Sequence, residues 1–142
     1  MRDAEADKHA AVALLILRFF LGIFLLQWGI EKVILPGTAE RIANAFYGVS
    51  LPTTASYALG TAEIILSLAF LLGLFRTVSY GLALLVHTVT VLVSWRQLLD
   101  PWGLAKVGNH LWISTWPTWG AFVALYLMRG WDAYTVDARL RA

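Results

Sequence analysis

Thr54-Ala-Ser-Tyr-Ala-Leu-Gly-Thr-Ala-Glu-Ile-Ile-Leu-Ser-Leu-Ala-Phe-Leu-Leu-Gly-Leu74 is an almost wholly apolar run with a single acid, Glu63, near its middle. About 20 consecutive apolar residues are what a helix needs to cross a bilayer core about 30 Å thick. A carboxylate at that depth costs on the order of 2.5–3.5 kcal/mol on the insertion scale. Glu63 must therefore be paired, neutral or functional, and the rest of the chain reads as what surrounds it.

The composition agrees with that reading. Of the 142 residues 59% are hydrophobic and only 14% charged, with a mean hydropathy of +0.68; a soluble domain carries roughly 25% charged residues. The chain is predicted to be an integral membrane protein of one domain with four spanning helices. A net charge of +2 is too small to point to nucleic acid. Cysteine is absent, which excludes disulfides, thiol chemistry, iron–sulfur clusters and covalently attached haem. The N-terminal Met1–Lys8 is mixed in charge, and the hydrophobic run after it is too long for a signal-peptide core, so it reads as a retained first span.

Span one is expected over about residues 10–32. Arg18, Gly22, Leu25, Gly29 and Lys32 repeat at 4, 3, 4 and 3, one helical face, with Leu, Ile and Phe opposite. In lipid the small and polar face belongs against protein. Pro36-Gly37 ends this span. Residues 38–48 read as a short amphipathic helix in the interface, with Ile42 and Phe46 four apart. Span two, about 54–74, carries Gly60, Glu63 and Ser67 on one stripe. A tight turn at Gly73–Thr77 makes an antiparallel hairpin with span three, about 77–97, where Tyr80, Ala83, His87, Thr90 and Ser94 again share a face. A polar connection broken by Asp100-Pro101, Gly103 and Gly108 leads to span four, about 111–128, and a polar tail.

Basic residues in the short connections give the orientation. Arg2, Lys8, Arg76, Arg129, Arg139 and Arg141 fall on one side; Lys32, Arg41, Arg96 and Lys106 fall on the other. The bias predicts both termini in the cytoplasm. Under it, Trp28, Trp95, Trp102, Trp112, Trp116 and Trp119 gather at the outer side.

Three charged or titratable side chains, Arg18, Glu63 and His87, lie on the polar faces of three spans, each within about two turns of the midplane at 1.5 Å rise per residue. Two readings stand. In one, Arg18 and Glu63 form an ion pair that fixes helix register, with His87 bonded to a hydroxyl such as Ser67. In the other, the three handle protons as catalytic candidates: Glu63 exchanges one, Arg18 holds its charge and His87 relays it. Around Asn109-His110, the side chains of His110, Trp112, Trp116 and Trp119 could hold a quinone or lipid headgroup, anchor the protein at the interface or dock a partner. His87 and His110 differ too much in depth to ligate one haem iron, and no pair of residues shows metal-ligand spacing on one helix.

Arg18-Phe-Phe-Leu-Gly22-Ile-Phe-Leu-Leu-Gln-Trp-Gly29-Ile-Glu-Lys32 resembles the first span of DoxX-type proteins. Tyr57-Ala-Leu-Gly60-Thr-Ala-Glu63 is similar to that family's Gly-x-x-Glu signature, and Leu71-Leu-Gly73-Leu-Phe-Arg76 resembles its turn into span three. The likeness covers about residues 14–95; the tryptophan-rich last third departs from the family's pattern. The resemblance implies a small four-helix protein of a bacterial or archaeal inner membrane. It implies that the family's Arg, Lys and Glu positions fall on Arg18, Lys32 and Glu63. It also implies membership of a group in which some proteins are subunits of quinone-linked complexes, such as thiosulfate:quinone oxidoreductase or terminal quinol oxidases.

The expectation is thus an all-α membrane four-helix bundle, acting as an accessory or structural subunit of a quinone-linked redox or energy-conversion complex. It would contact lipid and other membrane subunits, with quinone or lipid as its only ligand. The alternatives are a quinone-reactive subunit that uses Glu63 and His87 for protons, and a small proton-coupled transporter.

Overall fold

The computed structural model describes residues 2–104 and 110–141. Its regular elements are helical throughout: α1 Arg2–Ile34, α2 Pro36–Ile42, α3 Thr53–Leu72, α4 Arg76–Val93, α5 Trp95–Leu99, α6 Thr115–Leu127 and α7 Val136–Leu140. A π-turn, Ala43–Tyr47, follows α2, and 3₁₀ turns at His110–Ser114 and Arg129–Trp131 bracket α6. Among the described residues three helices, α1, α3 and α4, are long and apolar enough to cross a membrane.

Local chemistry sets the ends. α1 stops one residue short of Pro36, which lacks the N–H to continue the ladder and instead opens α2. Pro52, extended at φ −63° and ψ 153°, starts α3. Gly73 ends it in the left-handed region at φ 64°; its N–H bonds the Phe70 carbonyl at 3.0 Å and the Leu74 N–H bonds that of Ala69 at 2.9 Å. This is the Schellman closure that glycine permits without a Cβ penalty. The expected span three breaks at Ser94 (φ −102°, ψ 16°), and the chain resumes in the short α5.

α1 and α3 run antiparallel with very close backbones. A Cβ on Gly60 would fall 2.8 Å from the Gly29 carbonyl oxygen, and one on Gly29 would fall 3.0 Å from the Ile64 backbone N. Without a hydrophobic driving force between helices in lipid, such small-residue approaches supply the packing. α4 and α6 are also antiparallel: Trp119 bonds Thr88 and Tyr126 lies against Gly81. The helices touch in the closed order α1–α3–α4–α6–α1. Between them sit Leu14, Leu21, Leu25, Phe70, Tyr80, Ala83, Phe122 and Leu125. Within that core the Phe70 ring is 4.9 Å from Tyr80 and 5.9 Å from Phe122, contacts worth about 0.5–1.5 kcal/mol each beyond burial. Phe20, Ile65, Leu85, Leu92 and Leu127 point outward, as lipid-facing side chains should.

α1 is longer than its partners. Its 33 residues span about 50 Å at 1.5 Å per residue, whereas α3 has 20 residues. The two pair along the C-terminal half of α1, and its N-terminal half extends past the α3–α4 turn.

Candidate functional site

The extension of α1 decides where Arg18 goes. Arg18 lies level with the α3–α4 turn, where a Cβ on Gly73 would come within 3.1 Å of its Nη1, and so sits at the end of the α3–α4 hairpin that this turn closes. Its partner comes from the segment after α6. Arg18 donates from Nη1 to Asp132 Oδ2 at 2.6 Å and from Nη2 to the Tyr134 carbonyl at 2.6 Å. The Tyr80 hydroxyl donates to the same Asp132 Oδ2 at 2.6 Å, and Arg18 Nη1 reaches the Tyr80 oxygen at 3.3 Å. Arg18 is 3% exposed and Asp132 0%, so the charges meet out of contact with solvent.

A second carboxylate from the same segment holds the turn. Phe75, the residue before α4, is itself left-handed at φ 48° and offers no capping side chain. Asp137 supplies what it lacks. Its Oδ1 accepts the Phe75 N–H and its Oδ2 the Arg76 N–H, both at 2.8 Å, which satisfies two donors that a helix start leaves open. Burial pushes the Asp137 carboxyl up. The two backbone N–H groups and the nearby charges of Arg141 and Arg76 outweigh that and hold it below its ordinary value. Arg76 also donates from Nη1 to the Asp132 carbonyl at 2.8 Å. The polar tail is thus built into the protein.

Glu63 meets a different cation. Its Oε2 lies 2.7 Å from Lys32 Nζ, with side-chain exposures of 12% for Glu63 and 27% for Lys32. The expected Arg18–Glu63 pair is therefore replaced by two pairs, Arg18–Asp132 and Lys32–Glu63. The reason is axial register. Glu63 stands ten residues, about 15 Å, from Gly73 along α3, beyond the reach of an arginine level with that glycine.

His87 joins neither pair. Its ring packs 5.5 Å from Phe24 and 5.1 Å from Phe122, and its Nε2 is buried without a hydrogen-bond partner among the described residues. The expected Ser67 bond is not made; Ser67 donates to the Glu63 carbonyl of its own helix at 2.7 Å. Arg18, Glu63 and His87 are thus engaged in three separate places.

The tryptophans separate too. Trp112 packs on Phe46 at 5.5 Å, Trp119 donates from Nε1 to Thr88 Oγ1 at 3.0 Å, and Trp116 is exposed. The 3₁₀ turn over His110–Ser114 takes Trp112 off the helical face it would share with Trp116 and Trp119. Asn109, Lys106 and Gly108, and the side chain of His110, lie outside the described residues.

Sequence reasoning placed Tyr80 on the right face but gave it no role, and passed over Asp132 and Asp137. A signal was available. A buried arginine needs a carboxylate, and after Asp100 the chain offers only these two. The family model described as DoxX matches residues 13–95, more than half of the chain. No curated protein and no solved structure matches it.

Proposed function

The chain belongs to the DoxX family, and from that premise we propose that it is a non-catalytic membrane subunit that docks onto a larger complex through its α1–α3 face. The Lys32–Glu63 pair carries this reading. Glu63 is about 15 Å from either end of α3 at 1.5 Å per residue, so it lies at mid-membrane depth. Arg18 and Asp132 are sealed, but more than a quarter of the Lys32 side chain stays open. An ion pair that opens onto hydrocarbon keeps its desolvation cost without full compensation. Polar groups of a partner laid over α1 and α3 supply that compensation. The partner class is the one the family resemblance implies, a quinone-linked redox or energy-conversion complex.

In this reading α6 and its flanking 3₁₀ turns make a fourth crossing, which completes a four-helix bundle. Arg76, Arg129, Arg139 and Arg141 then face the cytoplasm together with both termini, in a bacterial or archaeal inner membrane. One observation favours a second reading, a quinone-reactive subunit. The Nε2 of His87, without a partner among the described residues and set between Phe24 and Phe122, suits a quinone carbonyl stacked on aromatic rings, with Glu63 exchanging protons.

Native mass spectrometry of protein extracted gently from its own membranes tests the proposal. A particle with further chains, lost in a folded Lys32→Leu/Glu63→Leu double variant, is the expected result. A lone monomer, or a complex indifferent to that variant, overturns it. A retained quinone mass on the lone chain favours the second reading.

A further inference from the structure

Three arginines meet at the end of the molecule closed by the α3–α4 turn and the C-terminal segment. Arg76 from the first turn of α4, Arg129 from the turn after α6 and Arg141 from beyond α7 line a cleft of about 430 Å³, with Thr77, Leu127 and Trp131 beside them. The nearby acids are already committed: Asp132 to Arg18, and both oxygens of Asp137 to backbone N–H groups. The ion pairs among the described residues are Arg18–Asp132 and Lys32–Glu63, so none of the three arginines has a carboxylate at ion-pair distance there.

Two of the guanidiniums are nonetheless held in place. Arg76 bonds the Asp132 carbonyl. Arg129 donates from Nη1 to the Tyr126 carbonyl at 2.7 Å and lies 4.3 Å from the centre of the Tyr126 ring. Carbonyls and a ring orient these two cations, the Asp137 charge acts on Arg76 and Arg141 without an ion-pair contact, and each guanidinium has five N–H donors, most of them without a partner among the described residues. The wall is not purely polar. Leu127, the last residue of α6, and Trp131 are both exposed, the combination expected where a spanning helix passes through the headgroup layer.

We propose that this cleft binds the phosphodiester headgroup of an anionic phospholipid, with the phosphate among Arg76, Arg129 and Arg141, Trp131 at headgroup depth and an acyl chain along Leu127. The apolar wall selects a lipid over a free anion. The bound phosphate bridges α4, the end of α6 and the C-terminal segment, and so ties the tail to the turn it caps.

The test uses the full chain in phosphatidylcholine nanodiscs with phosphatidylglycerol as competitor, reading retained lipid by native mass spectrometry. A basic residue near an anionic surface contributes about 1 kcal/mol, roughly five-fold in affinity. The wild type is expected to retain phosphatidylglycerol over phosphatidylcholine. Arg141→Gln should cut that preference about five-fold, Arg129→Gln/Arg141→Gln should abolish it, and Arg41→Gln/Arg96→Gln, at other sites, should leave it intact. The Arg141 side chain makes no hydrogen bond to the described residues and lends Asp137 only its charge, so a variant whose thermal unfolding matches the wild type reads binding and not folding. Absence of a preference in the wild type, or equal loss in both double variants, overturns the site. If inorganic phosphate stabilises the wild type through the same arginines and phosphatidylglycerol does not, the lipid assignment fails and the anion is soluble.

Discussion

Replacing Asp132 by alanine removes the carboxylate that neutralises Arg18. Removal of one partner from a fully buried ion pair costs about 3–5 kcal/mol, because the remaining charge is stranded. With exposures of 3% and 0% no discount for solvent screening applies. The Tyr80 hydroxyl also loses its acceptor. Arg18 keeps the Tyr134 carbonyl and the Tyr80 oxygen, which places the expected loss near the lower end, about 3 kcal/mol. Asp132→Asn, which retains an acceptor but not the charge, should fall between. Arg18→Met/Asp132→Leu should recover most of the loss, since an apolar pair of similar volume strands no charge. Unfolding by SDS in mixed micelles, followed by the fluorescence of the seven tryptophans, measures all four proteins. An Asp132→Ala protein within about 1 kcal/mol of wild type, the ordinary effect of a point change, would refute the reasoning. So would a double variant as weak as the single one, since the loss would then come from shape and not charge.

Gly73→Ala should cost about 1–2 kcal/mol for a left-handed alanine. It should also push the tail away, because the new Cβ falls 2.5 Å from Thr135 Cγ2; hydrogen exchange over residues 132–140 would rise. Asp137 has a folded pKa below its unfolded value of 3.8, so its stabilisation is complete above that pH and is lost as pH falls through the lower folded value. Tail protection should therefore weaken in acid below about pH 4, and Asp137→Asn should show weak protection at every pH. Trp119→Phe removes the bond to Thr88 and should cost about 0.5–1.5 kcal/mol; a Thr88→Val double-mutant cycle that gives strict additivity would show that this bond contributes nothing.

Much of this architecture is written in residue spacing. The 4, 3, 4, 3 repeat of Arg18, Gly22, Leu25, Gly29 and Lys32 marks the face of α1 that turns inward, and Tyr80, Ala83 and His87 do the same for α4. Periodicity gives a side chain's direction around the helix axis but not its height against a neighbour. Arg18 and Glu63 both face inward, yet the overhang of α1 separates them and passes each to another partner. Asp132 and Asp137 escaped for another reason. A short polar stretch after an apolar helix has the composition of a solvated tail, and only the demand of a buried cation says otherwise. Trp112, Trp116 and Trp119 share a face only if the backbone is α-helical throughout, and the 3₁₀ turn breaks that condition.

The distance along the chain between Arg18 and Asp132, 114 residues, has a consequence for how the protein is made. At about 5–20 residues per second, a ribosome adds Asp132 roughly ten seconds after Arg18. Throughout that interval the first helix stands in or beside the bilayer with a lone guanidinium. The charge meets its carboxylate only when the segment after α6 has been delivered and has folded back onto the α3–α4 turn. A product that stops before Asp132 keeps the Arg18 cation without the carboxylate that neutralises it.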